Sequence, residues 1–214
     1  MAYSWFAIGG LVFGRHWVVD RVPVPATLLA ALADLVKWLD VTKMPSMIIG
    51  GVAASILGQP RLTQDVDALA ILPEADWGNA VSTAASHGIL PRIENPLDFA
   101  RRSRVLLMRH AASGINIDLT FGGLSFEQTA IDHSEIHDIG GLHVRLPRVE
   151  DLLIMKAIAR RPKDLQDMEG LLAAHPEADI AAVRQWVLEF ATAMSMSDML
   201  DDFDKVVARS KSRR

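Results

Sequence analysis

Read for its hydrophobic and polar positions, the chain falls into an apolar leader, a central part where period-two and helical patterns alternate, and a C-terminal part of helical period. Ala26 to Leu39 places Leu28, Leu32, Leu35 and Leu39 on one stripe, which predicts an amphipathic helix. The run Met47-Ile48-Ile49 predicts a short strand, cut off at Gly50-Gly51. A small-residue helix over Val52–Leu57 and a polar turn at Gly58-Gln59-Pro60-Arg61 follow, before Asp65-Val66-Asp67 opens a second strand reaching Ile71. Pro73 introduces a helix from about Glu74 to His87, stopped at Gly88. Residues 89–103, with Pro91 and Pro96, read as irregular, and carry the start of a basic group at Arg101, Arg102 and Arg104.

Arg104 to His110 and Ile115 to Phe121 read as an antiparallel pair turning at Ser113-Gly114. A polar, non-helical segment with Asp132, His133 and His137 leads to a hairpin at Gly140-Gly141 and the alternating Leu142–Leu146. From Val149 the period becomes helical, with Leu152, Leu153, Met155, Ile158 and Ala159 on an apolar face that includes Lys156. Arg161-Pro162 ends this helix. Further helices are predicted over about Lys163–Ala174, Ala178–Ala193 and Ser197–Ala208, and Arg209–Arg214 reads as a frayed basic tail. The pattern predicts an α/β (α+β) fold, a small mixed sheet flanked by helices, in three stretches: a leader over 1–25, a core over 26–147 and a helical part over 148–214.

Composition sharpens this picture. At 214 residues, half of them hydrophobic and 22% charged, the chain is long enough for a substantial core and is not of disordered composition. A net charge of −4 gives no general attraction to nucleic acid. With no cysteine, disulfide frameworks and thiolate metal sites are excluded, which fits a reducing cytoplasm. The apolar stretch from Ala2 to Phe13 is too short to span a bilayer and lacks the basic start of a signal peptide, so no membrane association is expected.

The candidate chemistry lies between Gly50 and Ile71. Residues two apart on a strand share a face, so Asp65 and Asp67 stand side by side while Val66 enters the core. Paired carboxylates repel unless a cation lies between them, and Mg²⁺ favours hard oxygen ligands completed by substrate phosphates. Gly50 and Gly51 let backbone N–H groups approach an anion at a helix N-terminus. Together these describe a nucleotide site, with Arg61 and Thr63 in the intervening loop; solvated acids and a plain turn are the alternative. In the strand Ile115–Phe121, alternation turns Asp118 away from the core. If that strand lies beside the Asp65–Ile71 strand, Asp118 completes a carboxylate triad; otherwise it is a surface acid. His133 and His137 have a metal-binding spacing only on a helix, which their flanks do not favour.

The stretch GGVAASILGQPRLTQDVDALAI resembles the nucleotidyltransferase superfamily, whose signature is a small-residue pair opening a helix and two acids on the next strand. Within it the Gly-Gly pair and the Arg-x-Thr before the acids look most like the AbiEii-type toxin nucleotidyltransferases and their uncharacterised relatives. The stretch EDLLIMKAIARRPKDLQDMEGLL resembles a second part of that pattern at Lys156, Ala159, Arg160, Asp164 and Asp167. It departs at Lys163, where arginine is common in the family. The likeness spans about residues 45–175 and implies a nucleotidyltransferase fold, one or two Mg²⁺ ions on Asp65, Asp67 and Asp118, and an NTP substrate. It further implies phosphate binding by Gly50, Gly51, Arg61, Thr63 and Lys156, and Asp164 as a base near the acceptor. The acceptor so implied is an RNA such as tRNA or a protein, with an antitoxin protein as partner. The rivals are an antibiotic adenylyltransferase on the same fold and a catalytically inactive nucleotide-binding module. On residues alone, Lys156 reads rather as a snorkelling lysine, and Asp164 and Asp167 as helix N-terminal charge.

Overall fold

The structure, a computed structural model, describes residues 25–212; the 1–25 leader therefore lies almost wholly outside the described residues. The chain enters through helix α1 (Ala26–Thr42), whose Leu28, Leu32, Leu35 and Leu39 are buried together with Trp38. Strand β1 (Ser46–Ile49) gives way to α2 (Gly50–Leu57), and β2 (Asp65–Ala70) follows. A single 3₁₀ turn over Glu74–Asp76 leads into α3 (Trp77–Ala85).

Residues 89–103 correct the irregular reading. They form β3 (Ile89–Pro91) and α4 (Pro96–Ser103). Pro96 sits at the first position of α4, where its missing N–H costs nothing, and Pro91 ends a three-residue edge strand. Both prolines begin or border elements here instead of excluding them.

Strands β4 (Val105–His110) and β5 (Asn116–Phe121) pair antiparallel, as their alternation predicts. β5 also lies parallel to β2, giving a mixed sheet in the order β1-β2-β5-β4-β3. Val66, Ile117 and Leu119 are fully buried, and Phe121 stacks on Trp77 with ring centroids 4.2 Å apart. Such a stack adds to the plain burial of two large rings.

The polar segment contains a helix after all, α5 (Ser125–Asp132), followed by the hairpin β6 (Glu135–Ile139) and β7 (Leu142–Leu146). Phe126, Ala130 and Ile131 bury a narrow stripe that its polar composition hides. The helices α6 (Val149–Ala159), α7 (Pro162–Ala174), α8 (Ile180–Ala193) and α9 (Asp198–Ser212) complete the described chain. The frayed tail is corrected in part: α9 continues past Arg209, with Asp198 and Asp201 in its first turn and Arg209 and Lys211 in its last. That charge order complements the helix dipole. Among the described residues, no helix is long and apolar enough to cross a membrane.

Candidate functional site

β1 and β2 run antiparallel with Ile49 opposite Asp67, and β2 and β5 run parallel with Asp67 opposite Asp118. Asp67 is thus flanked on one side by the residue preceding Gly50 and on the other by Asp118. Asp65 shares its face two residues earlier, beside Asn116. The register brings together the three acids that the sequence singles out.

The glycine turn fits tightly over this group. Gly50 has φ +66°, a left-handed conformation, and a Cβ built there would lie 1.9 Å from Asp67 Oδ2. Gly50→Ala should therefore destabilise the fold by about 1–2 kcal/mol from backbone conformation alone, and push the Asp67 carboxylate from its place. Denaturant unfolding measures the first effect, and a structure of the variant the second. A Cβ on Gly51 would stand 2.6 Å from Thr63 Oγ1 and 3.3 Å from Arg61 Nη2, so the loop after α2 closes onto its first turn.

Each acid has a different environment. Thr63 Oγ1 donates to Asp65 Oδ1 at 2.8 Å. The Gly51 amide, expected to face a phosphate, donates to Asp67. Burial pushes the Asp67 carboxyl up, and the charges of Asp65 and Asp118 push it further, against the smaller opposing effects of Gly51 and Lys156. Asp118 accepts a hydrogen bond from Arg92 Nη1, which also donates to Met108 O at 3.1 Å. Arg92 follows β3 in the stretch read as irregular, and sequence reasoning missed it. The register across β3, β4 and β5 is what brings it to Asp118.

Beside the acids lies a buried ionic cluster. Lys156 Nζ donates to Asp164 Oδ1 at 3.0 Å and to Asp167 Oδ2 at 2.7 Å, and the side chains are at most 4% exposed. Arg61 forms a bidentate pair with Asp167, Nε–Oδ1 2.5 Å and Nη2–Oδ2 2.8 Å. Arg161 Nε binds Asp164 Oδ2 at 2.6 Å, and the Arg161 amide donates to the same oxygen at 3.1 Å. Burial alone would raise both carboxyls, but the bonds from Arg161 and Lys156 to Asp164, and from Arg61 and Lys156 to Asp167, hold them below the ordinary range.

These contacts revise several expected roles. Lys156 does not reach out as an open phosphate ligand; its charge is held between two carboxylates, from where it still acts on Asp67. Arg61 and Thr63 fix the loop that carries Asp65. Asp164, expected to serve as a base, is a fully buried carboxylate that binds two cations, which makes it a weak proton acceptor. Arg161, more than half exposed and electrostatically coupled to Asp65 and Asp67, is a cation at the edge of the acid group that sequence reasoning did not single out.

Other candidates have structural partners. Arg101 pairs with Glu74 and Asp98. Arg104 donates to Phe121 O and Gly122 O and lies 5.7 Å from the Trp77 ring centroid, tying down the end of β5. His133 follows α5 and His137 lies on β6, so the two do not share a helical face.

A divalent cation suits the donor chemistry at Asp65 and Asp67: hard carboxylate oxygens on one strand face, with Asp67 penalised by burial and neighbouring negative charge. Among the described residues, however, no three His, Asp or Glu side chains already stand in metal-holding positions. The third acid is turned to Arg92.

No protein-family model and no curated protein matches the sequence. Solved structures do match. A solution structure of the antibiotic-resistance factor ANT(2'')-Ia aligns with a TM-score of 0.56 at 16% identity, over 79% of this chain and 94% of that one. A crystal structure of ANT(2'')-Ia in complex with adenylyl-2''-tobramycin gives 0.55 at 16%, over 79% and 99%. An antigenic nucleotidyltransferase-like protein from Paracoccidioides brasiliensis gives 0.52 at 15%, over 84% and 94%. The chain has the nucleotidyltransferase fold.

Proposed function

We propose that the chain is an Mg²⁺-dependent nucleotidyltransferase that moves a nucleoside monophosphate from an NTP to a hydroxyl of an RNA or protein acceptor. The observation that carries this reading is the register pairing of Asp67 with Asp118, Asp65 on the same strand as Asp67, beneath a left-handed glycine turn. In the reaction an acceptor hydroxyl oxygen attacks the α-phosphorus, the bond to the β-phosphate oxygen breaks, pyrophosphate leaves, and the hydroxyl proton passes to solvent or a base. Mg²⁺ held by Asp65 and Asp67 would offset the negative charge developing at the transferred phosphorus.

Asp65 and Asp67 would hold the metal, and Thr63 and the Gly51 amide fix the orientation of their carboxylates. Gly50 keeps the space beside Asp67 free of a side chain. Arg161 and Lys156 supply positive charge near the acids, Arg161 from the exposed side and Lys156 from the buried one. Asp118 would align the attacking hydroxyl and add a third carboxylate to the residues that hold the metal.

A labelled-NTP transfer assay with tRNA and protein acceptors tests this reading. Asp118→Asn keeps the size of the side chain and removes its charge, so transfer should fall by about 10²-fold or more with near-parental melting. Parental transfer by this variant would make Asp118 a surface acid only. Tight Mg²⁺–NTP binding without transfer to any acceptor would favour an inactive binding module.

The AbiEii resemblance supports placing the chain as the toxin of a toxin–antitoxin pair, acting in the cytoplasm. A second reading, adenylylation of an antibiotic, draws support from the likeness to ANT(2'')-Ia, one structure of which contains adenylyl-2''-tobramycin. Adding aminoglycosides to the acceptor panel separates the two.

A further inference from the structure

Asp65 and Asp67 accept hydrogen bonds from neutral donors, a threonine hydroxyl and a backbone amide. Asp118 instead has a full guanidinium charge against it. Arg92 is held on both sides of that contact: its amide donates to Leu107 O at 3.1 Å and its Nη1 to Met108 O at 3.1 Å. The side chains of Arg92 and Asp118 are 20% and 30% exposed, so water screens their attraction less than it would a surface pair. The contact occupies Oδ1 of Asp118 and offsets the negative charge that would attract a metal. Arginine does not lose its proton at any ordinary pH, so only another anion can draw it away. Phosphate is the anion whose geometry a guanidinium matches as well as it matches a carboxylate.

We propose that Arg92 is the resident counter-cation of the third carboxylate: it withholds Asp118 from the metal until polyphosphate oxygens compete for the guanidinium. The nucleotide-free chain then offers a divalent ion Asp65 and Asp67 alone. Triphosphate binding exchanges partners, Arg92 passing to phosphate and Asp118 to the metal side of the site. A complete ligand set forms only with substrate present. This inference rests on the nucleotidyl-transfer reading of the same site.

Mn²⁺ is the probe, with free ion counted by electron paramagnetic resonance on the full chain without nucleotide. Arg92→Gln removes the charge and should tighten Mn²⁺ binding by about tenfold or more, or admit a further ion. Arg92→Lys keeps the charge and should stay within about threefold of the parent. Asp118→Asn added to Arg92→Gln should cancel the gain, which a general loosening of the fold would not do. Should Arg92→Gln fail to fold, the parent gives an independent reading. With a non-hydrolysable triphosphate, the parent should take up Mn²⁺ that Asp118→Asn does not.

A folded Arg92→Gln whose Mn²⁺ isotherm superposes on the parent's, while Asp67→Ala abolishes binding, overturns the role of Arg92 and leaves the metal site standing. Equal uptake by parent and Asp118→Asn with triphosphate overturns it as well. If Asp67→Ala binds Mn²⁺ as the parent does, the nucleotidyl-transfer reading falls, and the inference with it.

Discussion

Lys156→Met is expected to lower the unfolding free energy by about 3–5 kcal/mol, the range for breaking a buried ion pair from one side. Methionine fills much the same space, so lost packing is not the cause. The cost comes from Asp164 and Asp167, whose side chains are 0% and 4% exposed and which share one ammonium group. Arg161 and Arg61 remain on their outer sides, but neither replaces the contact at Nζ. The pH dependence should change in step. Both carboxyls titrate below the ordinary range in the folded chain, so between their depressed values and the ordinary one, about 3.9, the unfolded chain holds more protons. Their contribution is present above that window and is lost as pH falls through it. In Lys156→Met the depression shrinks, and the acid limb of the stability curve should flatten. Urea titrations at several pH values check both outcomes; a Lys156→Met protein as stable as its parent would mean that the cluster is only loosely formed.

The β1–α2–β2 unit is readable from sequence because its signals are local. An apolar run, a glycine pair and an alternating acid strand each declare themselves within a few residues. The alternation of β5 likewise turns Asp118 away from the core without reference to any other segment. The parallel pairing of β2 with β5 is not local, and alternation alone is silent about it. Only the register, with Asp67 opposite Asp118, resolves that condition.

Helices α4 and α5 are hidden in the sequence for opposite reasons. Proline reads as a breaker, yet Pro96 occupies the one helical position that accepts it readily. α5 is too polar for a clear apolar stripe, and Phe126, Ala130 and Ile131 bury it nonetheless. Side-chain roles are harder still to read. A lysine on an apolar helix face looks like a snorkelling residue, and its true partners lie on the next helix, 8 and 11 residues ahead. Arg92 carries no local signal, since its contact with Asp118 is set by the pairing of three strands. Sequence patterns thus indicate which acids gather, whereas the cations that hold them emerge only from the packing.

Asp67→Asn should reduce nucleotide transfer by about 10³-fold or more while leaving the metal-free fold at least as stable. The first effect follows from position. Asp67 lies between Asp65 on its own strand and Asp118 on the neighbouring one, and with Asp65 would hold the metal. Losing this charge removes several kcal/mol of stabilisation at the developing phosphoryl charge, and each ~1.4 kcal/mol is a factor of ten in rate. The second effect has the opposite sign. Burial and two neighbouring carboxylates push the Asp67 carboxyl up, and a carboxyl raised on folding costs stability once the pH exceeds its folded value. An amide carries no such cost, and its oxygen still accepts from the Gly51 amide. In EDTA at neutral pH, Asp67→Asn should therefore melt at or above the parent's temperature. Added Mg²⁺ with NTP should raise the melting temperature of the parent far more than that of Asp67→Asn, because a ligand stabilises only the state that binds it. If Asp67 serves a metal, its charge is kept at a cost to the metal-free fold, and Asp67→Asn trades activity for stability. If Asp67→Asn lost transfer and also melted far below the parent in EDTA, the carboxylate would be a structural anchor. Its charge would then be balanced within the protein, and the acids would need no metal between them.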